Sequence, residues 1–134
     1  MGFNDDNFLD DYEIQELINK FESQLESGMP LFFDADELNI ILEHYVQKND
    51  IPKINIIADL ASTYHEANPL TKLIMAKKYL SVQDAANALP YLLDESNNAD
   101  DPDYQLSLGY CYSLMDEHKK SLSAYKKAVK LLEK

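Results

Sequence analysis

Gln105-Leu106-Ser107-Leu108-Gly109-Tyr110-Cys111-Tyr112 is the stretch that decides how the rest of this chain is read. Gly109 follows a leucine and stands three residues before Tyr112; nine residues beyond that tyrosine comes Ser121, and four further on Tyr125. Glycine inside a helix costs about 1 kcal/mol relative to alanine, so a glycine within a helical pattern asks for a packing reason. Two antiparallel helices that cross closely at Gly109 and Ser121 supply one.

The same spacing recurs upstream. Tyr45, Tyr79 and Tyr112 stand 34 and 33 residues apart, each three residues after Leu42, Ala76 or Gly109. Nine residues beyond each tyrosine lies Ile54, Ala88 or Ser121, and four beyond that Ala58, Leu92 or Tyr125. Units therefore begin near Ala35, Pro69 and Pro102. Periods in this range mark architectures in which each unit buries part of its apolar face alone and stacking completes the core.

The segments between these landmarks read as helices. From Tyr12 to Glu26, Ile14, Leu17, Ile18, Phe21 and Leu25 recur at helical spacing, and Ser27-Gly28 stops the run. Apolar stripes follow over Asp36–Lys48, from Ile54 to Tyr64, from Leu73 to Leu80, and from Ala85 to Leu93. The last two cover Tyr104–Leu114 and Lys119–Leu132. Asn49-Asp50, Asn68-Pro69 and Asp101-Pro102 punctuate them, with Pro52, Pro69 and Pro102 suited to first helical turns. Pro90, inside the second helix of the middle unit, is expected to kink that helix or delay its start. No segment sustains the alternation of a strand. The expected class is all-α, one structural domain: an acidic lead-in and capping helix over 1–30, then three helix pairs over 31–134.

The third unit, with Gln105-x2-Leu108-Gly109-x2-Tyr112, Ser121-x3-Tyr125 and Ala128, resembles a tetratricopeptide repeat. That family's signature is Trp-x2-Leu-Gly-x2-Tyr, then Ala-x3-Phe and Pro. The resemblance covers Ala35 to Lys134, strongest in the third unit and weakest in the second. Leu38, Lys72 and Gln105 stand where the signature has tryptophan. The stretch around Phe21-Glu22 and Phe32-Phe33-Asp34 is similar to the start of longer bacterial proteins of this type, which implies the N-terminal part of a longer array. The resemblance implies a right-handed superhelical array of antiparallel helix pairs, a TPR-like α-solenoid behind an N-terminal capping helix. It also implies binding through the concave face, lined by the first helix of each unit.

Carried over by register, that face takes Asn39, Glu43, Val46 and Gln47 from the first unit. The second gives Leu70, Leu73, Lys77, Leu80 and Ser81, and the third Asp103, Leu106, Tyr110, Ser113 and Leu114. The candidate peptide-binding residues are Asn39, Glu43, Leu73, Lys77, Leu80, Leu106, Tyr110 and Leu114. Some relatives clamp a terminal carboxylate with lysine, arginine and asparagine at such positions. Here Asn39 and Lys77 alone fit that chemistry, which argues against a clamp. Leu73, Leu106 and Tyr110 either edge an apolar groove for an extended or helical peptide, or pack against neighbouring segments.

Charge narrows the partners. The net charge is −12 and all 12 basic residues are lysines, so the clustered arginines that read nucleic acid are missing. Neither nucleic acid nor an anionic membrane is an expected partner. Residues 1–50 hold 13 acidic residues against Lys20 and Lys48, whereas the last 16 hold six lysines against Glu133. These are solvated faces, or they attract copies head to tail. The last helix, with Leu122, Tyr125, Val129 and Leu132, ends without a polar cover, which leads to an expected homodimer through that helix. The acidic N-terminus lacks the basic start and apolar run of a secretory signal, so a cytoplasmic location is expected.

Catalytic patterns are thin. His44, His65 and His118 have no histidine at i+4, so no HExxH-like metal site is read. Asp94–Asp103 is acidic, but Ala99 stands where a calcium loop needs glycine. A single Cys111 among Gly109, Tyr110 and Tyr112 reads as a core thiol. No cofactor, metal or enzymatic activity is expected. The readings that remain are an interaction scaffold, a structural segment of a longer or self-associating array, and, least supported, an enzyme or metal protein built on a helical bundle.

Overall fold

The computed structural model describes residues 9–94 and 99–133; the acidic residues at 1–8 and part of the acidic loop before Pro102 lie outside them. Among the described residues there are seven α-helices and no strand: α1 (Asp11–Ser27), α2 (Ala35–Gln47), α3 (Ile51–Tyr64), α4 (Pro69–Leu80), α5 (Ala85–Leu92), α6 (Pro102–Leu114) and α7 (His118–Leu132). Acidic residues fix the first two starts. Asp10 accepts from Glu13 N at 2.8 Å while Glu13 reaches back to Asp10 N at 3.0 Å, and Asp34 and Glu37 repeat the arrangement at α2. These reciprocal caps satisfy otherwise orphaned helix N–H groups. Gly28, in the left-handed region at φ 74°, ends α1.

The period seen in the tyrosines reappears in the backbone. Asn49, Gln83 and Asp116, at φ 57°, 62° and 60°, each stand four residues after a repeat tyrosine. At each, the next residue's N–H bonds back to the tyrosine carbonyl: Asp50 to Tyr45 (3.0 Å), Asp84 to Tyr79 (2.9 Å) and Glu117 to Tyr112 (2.9 Å). The left-handed residue's own N–H reaches Val46, Leu80 or Ser113. This is the Schellman ending of a helix, used three times to turn the chain. Asp50 and Asp84 then cap the next helix through Lys53 N and Asn87 N.

Each helix packs on its chain neighbour, α2 also packs on α4 and α4 on α6, and among the described residues no more distant pair of helix backbones comes close. One core runs through α1 to α4, around Phe21, Leu38, Ile41, Leu42, Tyr45, Ile54, Ile57 and Ile74. A second, around Leu73, Ala76, Leu80, Ala88, Leu92, Tyr104 and Cys111, joins α4, α5 and α6. α4 feeds both. Tyr45 ties the capping helix to the first pair: its ring lies 5.8 Å from that of Phe21, and its hydroxyl donates to Glu22 Oε2 at 2.5 Å.

Gly109 has the packing reason that its place in the sequence demanded. A β-carbon there would meet the Tyr125 ring at 2.7 Å, and Ser121 Oγ donates to the Gly109 carbonyl at 2.8 Å. Ala76 and Ala88 are fully buried at the matching places in α4 and α5. Pro90 has a milder effect than expected. The Asp84 cap starts α5 on time, Pro90 falls in its last turn, and the helix closes at Leu92 after eight residues. Without a proline N–H the preceding turn loses one bond, so the helix is short.

Candidate functional site

The candidate residues converge where α2, α4 and α6 lie side by side. At their centre is Lys77 of α4, a lysine only 7% exposed. Its Nζ donates to Asn39 Oδ1 at 3.0 Å, to Asp103 Oδ2 at 2.7 Å and to Glu43 Oε2. Asn39 Nδ2 donates in turn to Asp103 Oδ2 at 3.3 Å. A buried ammonium must be paired and hydrogen-bonded to be tolerated, and here two side chains from α2 and one from α6 meet that demand. The network stitches together helices far apart in sequence.

Above it opens a groove of about 390 Å³, lined by Glu43, Val46, Lys77, Leu80, Ser81, Gln83, Asp103, Leu106, Ser107 and Tyr110. Leu80 is buried in its wall, whereas Leu106 and Tyr110 are 42% and 38% exposed along it. Glu43 and Asp103 keep about half and a third of their side-chain surface in solvent. The groove thus joins an apolar wall to a polar, acidic floor.

Six of the eight candidate residues come together here: Asn39, Glu43 and Lys77 in the network, Leu80, Leu106 and Tyr110 on the wall. Leu73 does not. It is 3% exposed in the second core and borders a separate hollow with Asp36, Leu70 and Tyr104. Leu114 packs half-buried against the same core. Register alone did not show that Asp103 closes the ion network, or that Gln83 and Ser107 join the rim. A signal for part of the network was there: Glu43 and Lys77, of opposite charge, stand 34 residues apart, one repeat.

The other chemically able groups lie elsewhere. His65 Nε2 lies 2.7 Å from the Phe33 carbonyl, His44 sits edge-on to Tyr45, and His118 is exposed beside Asp116. Cys111 is fully buried, and burial pushes its thiol up from the ordinary range. Among the described residues no three histidine, cysteine, aspartate or glutamate side chains group as metal ligands. On the outer side of α7 a broad hollow of about 800 Å³ runs past Leu122, Tyr125 and Val129 between Lys119, Lys126, Lys127 and Lys130. No described helix is long and apolar enough to cross a membrane.

Comparison of the chain with protein-family models, with curated proteins and with solved structures finds no match.

Proposed function

We propose that this chain is an interaction scaffold of tetratricopeptide-repeat type, which holds a protein segment in the groove between α2, α4 and α6. The observation that carries the reading is the groove itself, where the first helices of three successive pairs are fixed side by side by Lys77 and present Leu80, Leu106 and Tyr110. Exposed leucine and tyrosine beside rigid helices suit a docking segment, because the site is ordered before the partner arrives. The 34- and 33-residue repeat in tyrosines and in left-handed turns, with packing confined to near neighbours, supports a right-handed superhelix whose concave side is this groove. We read no catalytic role: all three donors of Lys77 are engaged within the network, and no histidine or cysteine lines the groove. The excess of acid and the lack of arginine argue for protein partners over nucleic acid, and a cytoplasmic setting goes with that reading.

Leu106 and Tyr110 test this directly, because neither supports the core. With Leu106→Ala and Tyr110→Ala combined, a peptide selected on the native chain should lose at least tenfold in affinity while the unfolding midpoint holds. Unchanged affinity in that variant rejects the groove.

A second reading has its own observation. Leu122, Val129 and Leu132 are 55%, 54% and 63% exposed along α7. Tyr125, half-buried there, is in register with Ala58 and Leu92, which the following helix covers completely. A structural segment that associates through α7, as a homodimer or in a longer array, would cover this face. A mass that stays monomeric across concentration in sedimentation removes the homodimer.

A further inference from the structure

The groove selects the sign of the charge it takes. We infer that its occupant is a basic segment, one presenting a lysine or arginine side chain beside an apolar residue; this rests on the scaffold reading above. An ammonium group has three N–H donors, and those of Lys77 are all engaged, on Asn39, Glu43 and Asp103. A carboxylate or phosphate entering the groove therefore meets no free donor from its one cation. The carboxylates are in the opposite position. Lys77 and Asn39 address Glu43 Oε2 and Asp103 Oδ2. Glu43 Oε1 and Asp103 Oδ1 receive no hydrogen bond from the described residues, on side chains that are 47% and 36% exposed. Two carboxylates against one ammonium leave a formal charge of −1 in the groove, on side chains partly open to solvent.

The walls complete the match. Val46, Leu80, Leu106 and Tyr110 can cover the aliphatic stem of a lysine or arginine and an adjacent apolar side chain. An exposed tyrosine ring also suits a guanidinium or ammonium. An acidic peptide would have to place like charge against Glu43 and Asp103, which costs affinity and rejects wrong partners.

Four pools of fluorescent dodecapeptides test this, each with leucine beside one central residue fixed as Lys, Arg, norleucine or Glu and all other positions randomised. Binding to the native chain is measured by anisotropy at low and high salt, with a Leu106→Ala/Tyr110→Ala variant, which removes the wall without changing the groove's charge, as the control for site. The Lys and Arg pools should bind at least about threefold tighter than the norleucine pool, as expected for one partly exposed charge pair, and the Glu pool weakest. High salt should narrow the gap. Gln83→Lys, which adds a cation at the exposed rim without touching the network, should erase the preference. Groove-dependent binding that favours norleucine or Glu overturns the inference and leaves the scaffold reading intact. Binding that ignores the Leu106/Tyr110 control, or no binding by any pool, overturns both.

Discussion

Lys77 and Asp103, 26 residues apart on α4 and α6, form a 2.7 Å ion pair in which the lysine is buried and the carboxylate about a third in solvent. The asymmetry decides what each side is worth. Removing the lysine leaves Glu43 and Asp103 able to turn to water, whereas neutralising both acids strands an ammonium in the interior. Glu43→Gln with Asp103→Asn should therefore cost about 3 kcal/mol or more, and Lys77→Met, of similar length and apolar, clearly less. Urea unfolding of both variants measures the order; equal losses would mean that the ion pairs contribute little.

Gly109 and Tyr125 should behave as a coupled pair. Gly109→Ala puts a methyl group into the tyrosine ring, and overpacking of this kind costs about 1–3 kcal/mol, more than the roughly 1 kcal/mol of helix propensity gained. With Tyr125→Leu already present, the same change should be neutral or stabilising. A double-mutant cycle by denaturant unfolding reads the coupling; additive effects would show that the contact is not the constraint.

Much of this was legible beforehand. The repeat was visible because small residues at close crossings and tyrosines between pairs answer to local packing, which spacing records: Gly109, Ala76 and Ala88 all stand as read. The site was half legible. Leu73 and Leu106 share one register position, 33 residues apart, yet one is core and the other groove wall. The difference lies in the neighbours: α4 is flanked by α2, α3, α5 and α6, while among the described helices α6 has only α4, α5 and α7 close by and meets α2 through the Asn39–Asp103 side chains. Burial at a register position depends on how many helices surround it, which the period does not carry. For the same reason Leu73→Asp would test folding and not binding.

The three left-handed turns differ in strain. Asparagine and aspartate tolerate that conformation, but glutamine at position 83 pays the ordinary penalty, about 1 kcal/mol. Gln83→Gly should raise stability by about 0.5–1 kcal/mol, and Asn49→Gly by less, part of each gain being lost to unfolded-state freedom. Thermal and urea unfolding of the two variants compare them; a loss at position 83 would mean that its side chain, not its backbone, matters.

Tyr45 should give the fold an alkaline limit. Burial first, and then the hydrogen bond and charge of Glu22, hold its phenol proton well above the ordinary value of 10.0. Below that pH both folded and unfolded chains keep the proton, so stability is unaffected. Above it the unfolded chain releases the proton and the folded chain does not, so stability falls as pH rises. Cys111, Tyr104 and Tyr125 shift in the same direction through burial, Cys111 from 9.0. Tyr45→Phe should cost about 1 kcal/mol at neutral pH through the lost hydrogen bond and flatten, without abolishing, the decline above pH 10. A slope identical to the native chain's would separate Tyr45 from it.

Where a bound segment lies is read most directly by amide chemical-shift mapping of the 15N-labelled chain titrated with a selected peptide. The expected result is saturable shifts at Val46, Leu80, Ser107, Leu106 and Tyr110, with Leu122 and Val129 on α7 unmoved. Shifts centred on α7, with the groove silent, would contradict a scaffold that works through α2, α4 and α6.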